Sequence, residues 1–195
     1  MNHYYTNNST LDSKEKDIYF KIKEKSFHFI TDYGVFSRSG LDFGSRLLIE
    51  SVLNIKANHV LDLGCGYGPI GIIYKYFNNE ANVTMLDINN RAIELSIKNA
   101  KLNRQEVKVL NNNGFSDIDS TYNLIITNPP IRTGKKLIYH LFLESYNHLV
   151  TNGRLIFVIN KKHGALSAIK YCEEIYNNVN IINKKSGFYV IECIK

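Results

Sequence analysis

From residue 59 onward the chain alternates short apolar runs with stretches of helical spacing. The runs cover 59–63, 83–87, 107–110, 123–127 and 154–159. Between most of them, apolar positions recur three and four residues apart, over about 69–78, 90–103, 135–149 and 164–177. Such alternation predicts an α/β fold with a parallel sheet and helices on both faces. The end differs. Runs at 180–182 and 188–191 are separated by only Asn183-Lys184-Lys185-Ser186-Gly187, too short for a crossover helix, so these two strands must be antiparallel. The fold class is therefore a doubly wound, seven-stranded, mostly parallel sheet with an antiparallel last strand.

Upstream the pattern changes. Positions 18–22 and 27–30 alternate around Lys23-Glu24-Lys25-Ser26, which predicts a β-hairpin. A helical repeat begins after Gly44 with Leu47, Leu48, Ser51 and Val52. Residues 1 to about 17 are polar and read as a poorly ordered arm. The expected organisation is an arm and hairpin over 1–32, then a single domain over 33–195, without internal repeat or linker.

Composition adds little beyond this. With 195 residues, 44% hydrophobic and 22% charged, the chain is long enough for one buried core. A net charge of +6 shows that binding to a polyanion would not be opposed. Cys65, Cys172 and Cys193 lack CxxC spacing, which argues against a zinc site and for a reducing compartment. The N-terminus has no apolar h-region, and no run approaches the roughly 20 residues needed to span a bilayer. A cytoplasmic protein without membrane or metal partners is expected.

Candidate chemistry sits at two strand ends. After the first strand of the sheet comes Asp62-Leu63-Gly64-Cys65-Gly66-Tyr67-Gly68-Pro69-Ile70-Gly71, where open α/β sheets place their ligands. Closely spaced glycines let backbone approach a ligand, and Asp87, about 20 residues on, suits ribose hydroxyls. Gly66 to Gly71 also satisfies GxGxxG, so the loop by itself fits both NAD and S-adenosylmethionine. The earlier Gly64 and the acidic Asp62 tilt it toward the latter, because a dinucleotide has no α-amino group to meet that carboxylate. At the fourth strand's end stands Asn128-Pro129-Pro130-Ile131. A planar nitrogen has a delocalised lone pair and is a poor nucleophile. An asparagine oxygen and a backbone carbonyl accepting its two N–H hydrogens would free that lone pair, so catalysis becomes positioning plus electrostatics. These roles fall to Asn128 and the backbone of Pro129; the pair Pro129-Pro130 stiffens the step. Residue 131 would pack on the target's flat face.

Glycine loop, Asp87 and Asn-Pro-Pro in this order resemble class I S-adenosylmethionine-dependent amino-methyltransferases, including the methyltransferase small domain family. Residues 33–45 look like the segment preceding the cofactor loop in the small-subunit rRNA guanine-N2 methyltransferases. Residues 128–136 and 160–165 resemble short, single-domain members. The resemblance implies S-adenosylmethionine held by Phe36, Ser37, Gly44, Asp62, Gly64, Cys65, Gly66, Gly68, Asp87, Ile88, Asn113, Gly114 and Asn128. It also implies a guanine exocyclic amine in ribosomal RNA or the small subunit as target. Arg132, Lys135, Lys136, Lys161, Lys162 and His163 form an expected phosphate-binding rim. Three departures stand out: Asn113 replaces the usual Asp, Ile131 replaces an aromatic in many relatives, and the extra N-terminal domain of the two-domain rRNA enzymes has only a hairpin as its counterpart. Glutamine-amide methylation of a release factor uses the same Asn-Pro-Pro chemistry and is the alternative; a catalytically idle RNA-binding module is the third reading.

Overall fold

The computed structural model describes residues 12–195. Residues 1–11, most of the expected polar arm, lie outside them. Residues 12–17 are not loose: Ser13 Oγ and Lys14 N donate to the buried Asp32 carboxylate at 2.7 and 2.6 Å. Burial pushes that carboxyl up, but the bonds from Ser13, Lys14 and Tyr33, with Arg91 nearby, outweigh it and hold it below the usual carboxylate range.

The hairpin consists of β1 (Lys16–Ile22) and β2 (Lys25–Thr31), joined by a tight turn in which Lys23 takes a positive φ of 49°. There follow α1 (Phe43–Val52), β3 (His59–Leu63), α2 (Pro69–Phe77), β4 (Asn82–Asp87), α3 (Asn90–Leu102), β5 (Lys108–Asn111) and β6 (Tyr122–Thr127). The chain ends with α4 (Lys135–Asn147), β7 (Leu149–Asn160), α5 (Ala165–Glu173), β8 (Asn178–Lys185) and β9 (Phe188–Ile194). The main sheet has seven strands in the order β5-β4-β3-β6-β7-β9-β8. The first five are parallel, and β9 runs antiparallel to both its neighbours.

Successive residues of the central strands face opposite sides. Leu124 and Ile126 pack with α1, α2 and α3 on one face; Ile125 packs with Ile138 and Phe142 of α4 and Ala168 of α5 on the other. Ile18, Ile22, Phe27 and Phe29 of the hairpin belong to the first of these cores. One buried side chain fastens the hairpin. Asn99 of α3 accepts from Ile30 N at 2.7 Å and donates to Ile30 O and Tyr67 O at 2.9 and 2.8 Å, tying β2 to the glycine loop.

Candidate active site

The carboxyl ends of β3, β4 and β6 open into one cavity of about 630 Å³, a volume suited to a small ligand. Thr127 Oγ1 donates to Leu63 O at 2.8 Å, joining the ends of β6 and β3. The start of α1 and the segment around Phe36 close the other side.

The glycine loop is anchored from below. Gly64 N and Cys65 N both donate to Leu86 O, at 2.9 and 2.8 Å, and Gly66 N donates to Asp87 Oδ2 at 2.8 Å. Asp87 also accepts from Asn89 N. Burial raises its carboxyl above the usual range despite these bonds. Its oxygens retain acceptor capacity toward the cavity, since a carboxylate has about four lone-pair sites. Gly66 has φ 57°, and a Cβ there would meet nothing within 4 Å, so the space above it is open to a ligand. Gly68 differs. It does not line the cavity; at φ 93° it caps α2, and a Cβ would stand 2.8 Å from Ile72 Cδ1 and 2.9 Å from Met85 Cε. Gly68→Ala is therefore expected to cost about 2–4 kcal/mol of stability, the sum of left-handed strain and overpacking, read as a lowered denaturation midpoint.

Asp62 lies beneath the loop, fully buried and outside the cavity lining. Its Oδ2 accepts from Gly71 N at 2.8 Å, while Oδ1 has no partner. Burial, eased by the Gly71 bond and reinforced by Asp87, pushes its carboxyl up to about 7. The Tyr67 hydroxyl is a second buried polar atom without a partner, on a residue that does line the cavity. An unfilled acceptor and an unfilled donor at one loop fit a ligand carrying both an ammonium and a carboxylate, as the amino-acid end of S-adenosylmethionine does. Cys65 is buried, and burial together with the Asp87 and Asp62 charges pushes its thiol well up, so it is no nucleophile.

On the opposite wall, Asn128 Nδ2 donates to Ser45 Oγ at 2.9 Å. Ser45 is held in turn at the start of α1, where its N–H caps onto Asp42 Oδ1 at 3.0 Å. In this orientation, assigned by the hydrogen-bond network, Asn128 Oδ1 takes no donor among the described residues. The two proline carbonyls are unequal. That of Pro130 is taken by Thr133, from N at 3.0 Å and Oγ1 at 2.7 Å, whereas that of Pro129 accepts nothing among the described residues. The site thus presents two unengaged acceptors side by side in sequence. Ser45, Tyr67 and Thr133 went unread in the sequence because each works through a partner that only the fold supplies.

Of the residues singled out earlier, Phe36, Ser37, Gly64, Cys65, Gly66, Asp87, Ile88, Asn113, Gly114, Asn128, Pro129, Pro130 and Ile131 line the cavity, with Arg132 and His163 at its rim. Gly44, Asp62, Gly68, Lys135, Lys136, Lys161 and Lys162 do not. Gly44 is packed tightly, a Cβ there lying 3.1 Å from the Phe188 ring. Among the described residues no group of three or more His, Cys, Asp or Glu could hold a metal, and no helix is long and apolar enough to cross a membrane.

The methyltransferase small domain family matches residues 26–192. The uncharacterized protein YbxB of Bacillus subtilis is 43% identical over 197 residues, spanning 99% of this chain and 98% of that protein. The ribosomal RNA small subunit methyltransferase C of Aliivibrio salmonicida is 31% identical over 187 residues, 92% of this chain but 53% of that protein. The chain thus spans about half the length of such rRNA enzymes. Among solved structures, the T. thermophilus 16S rRNA N2 G1207 methyltransferase (RsmC), in complex with AdoMet and guanosine, superimposes with a TM-score of 0.84. It is 21% identical, over 95% of this chain and 52% of that one. A ribosomal protein L11 methylase from Lactobacillus delbrueckii has a TM-score of 0.66 at 20% identity, over 78% of this chain and 77% of that one. The chain belongs to the methyltransferase small domain family of S-adenosylmethionine-dependent enzymes.

Proposed function

We propose that the chain methylates an exocyclic amine, namely guanine N2 in ribosomal RNA. The observation that carries this reading is the pair of unengaged acceptors, Asn128 Oδ1 and Pro129 O, on the wall facing the glycine loop. S-adenosylmethionine, when bound, supplies an electrophilic methyl group on a sulfonium and leaves as a neutral thioether. Asp87 would accept from its ribose, Asn113 from its adenine amine, and Asp62 would meet its ammonium. Asn128 and Pro129 would take the two N–H hydrogens of the target amine and turn its lone pair toward the methyl. No strong base is needed, because the proton departs after transfer. Ile131 and Leu137 give the target an apolar wall. Relatives with the printed role of small-subunit rRNA methylation, at 31% identity, support RNA as the substrate class.

Methyl transfer from labelled S-adenosylmethionine to naked rRNA, to small ribosomal subunits and to release factors tests the reading. Label in RNA alone is expected; label in protein alone would overturn it. Ser45 enters this mechanism as a positioning residue, since its Oγ decides which end of the Asn128 amide faces the target. Ser45→Ala is expected to lower kcat on the order of tenfold, the worth of one hydrogen bond, with a smaller change in KM for the cofactor. Ser45→Thr, which keeps the hydroxyl, should restore most of it.

A further inference from the structure

The formal charge of +6 comes from 24 Lys and Arg against 18 Asp and Glu. Seven of the cations stand in three short segments: Arg132, Lys135 and Lys136 after Asn-Pro-Pro; Lys161 and Lys162 after β7; Lys184 and Lys185 at the β8–β9 turn. The other 17 face 18 acids, so the rest of the chain carries about −1. The protein's basic character is therefore a local property of these segments.

The fold joins the three. Lys161 N donates to Gly187 O at 2.7 Å, fastening the segment after β7 to the β8–β9 turn. Lys135 Cε lies 3.7 Å from where a Cβ on Gly164 would stand, which brings the start of α4 against the start of α5. All seven side chains are exposed. None makes an ion pair or a side-chain hydrogen bond among the described residues; Lys184 Nζ lies 4.7 Å over the Tyr189 ring. Elsewhere Arg46, Arg91, Lys98 and Arg154 are each paired with an acid. Lys135 and Lys136 even occupy the first turn of α4, which has no side-chain cap and no acid, where the helix dipole disfavours cations. Uncompensated like charges on one surface are an electrostatic footprint for a polyanion.

The surface leads to the cavity mouth, where Arg132, His163 and Phe188 line the opening. Phe188 follows the Lys184–Lys185 turn directly and packs against Phe43, with ring centroids 5.4 Å apart. Cations that track a backbone beside rings on which a base can stack are how proteins hold single-stranded nucleic acid. We propose that this edge holds the phosphodiester backbone of an RNA strand whose target base enters the cavity past Phe188. Lys184 and Lys185 are its outlying phosphate contacts. This rests on the reading of RNA as substrate.

Binding of a fluorescent small-subunit rRNA transcript to the full chain, titrated at several salt concentrations, tests it. The double variant Lys184→Ala/Lys185→Ala is expected to bind on the order of tenfold or more weakly near 0.1 M salt. Its slope of log affinity against log salt should be shallower by about 2, one per lost phosphate contact. Binding of S-adenosylhomocysteine and the thermal midpoint should match the parent. Lys21→Ala/Lys101→Ala, outside the three segments, should leave RNA binding unchanged. Unchanged affinity and slope in the first double variant would overturn the surface, even where the parent methylates RNA. Weakened RNA binding in a parent that methylates only protein would keep the surface and overturn the substrate. Lysine-dependent binding of an acidic protein, with no RNA bound, would overturn both.

Discussion

Asn128→Ala is expected to lower kcat by about 10²–10³-fold while leaving cofactor affinity within a few-fold of the parent. The size follows from removing one of two preorganised acceptors at the reacting nitrogen, the loss typical of a single oxyanion-hole donor. Affinity should survive because the side chain's one observed bond is to Ser45, not to the glycine loop. With Pro129 O alone, the amine keeps one acceptor and its lone pair is no longer directed. Single-turnover methylation with the cofactor saturating, beside calorimetry with S-adenosylhomocysteine, separates the two quantities. Full activity in the variant would remove Asn128 from the mechanism. Equal loss of rate and of cofactor affinity would make it a structural residue of the cavity wall.

Much of this arrangement was legible from residue order, for identifiable physical reasons. The central strands are buried on both faces, so they read as continuous apolar runs, and β3 has the bounds its pattern suggested. Glycines report positive φ and proline reports a stiff strand end, so the loop at Gly64–Gly68 and the Asn-Pro-Pro step could be found locally. Edges were less legible. Strand β8 spans Asn178–Lys185, longer than the three apolar positions that signalled it, because its side chains are mostly exposed and a register shift falls between Ile181 and Asn183. Strand β7 begins at Leu149, five residues before its apolar run, since Val150, Thr151 and Asn152 are not buried there. Helix α5 ends at Glu173, short of the expected 177; beyond it Tyr176 turns inward and its hydroxyl donates to Phe142 O. The hairpin's attachment depends on Asn99, whose partners lie 69 and 32 residues away, and Ser45 meets Asn128 across 83. No periodicity encodes such pairs. The concentration of charge was equally hidden: a net charge is a sum, and only the fold shows that Lys161 stands beside the turn bearing Lys184.

Asp62→Asn is expected to make the cofactor-free protein more stable and its cofactor binding weaker. The carboxylate is fully buried, one oxygen has no partner, and its pKa stands at about 7 against an ordinary 3.8. Between those values the folded protein binds a proton that the unfolded chain does not. Stability therefore falls as pH rises from about 4 to about 7, then levels off, by up to ~4 kcal/mol for a shift of this size. Asparagine carries no charge to desolvate and keeps an oxygen for Gly71 N. The variant's thermal midpoint should thus exceed the parent's at pH 8 by several degrees, with little difference at pH 4–5. Cofactor binding should move the other way. An ammonium beside Oδ1 would stabilise the ionised carboxylate, so the parent's affinity for S-adenosylhomocysteine should rise with pH up to about 7 and then flatten. In the variant that rise should shrink and affinity at pH 8 should drop on the order of tenfold or more. A gain in stability with a loss of binding identifies a charge kept for the ligand. A merely structural Asp62 would lose stability on substitution at every pH, and that outcome would overturn the assignment.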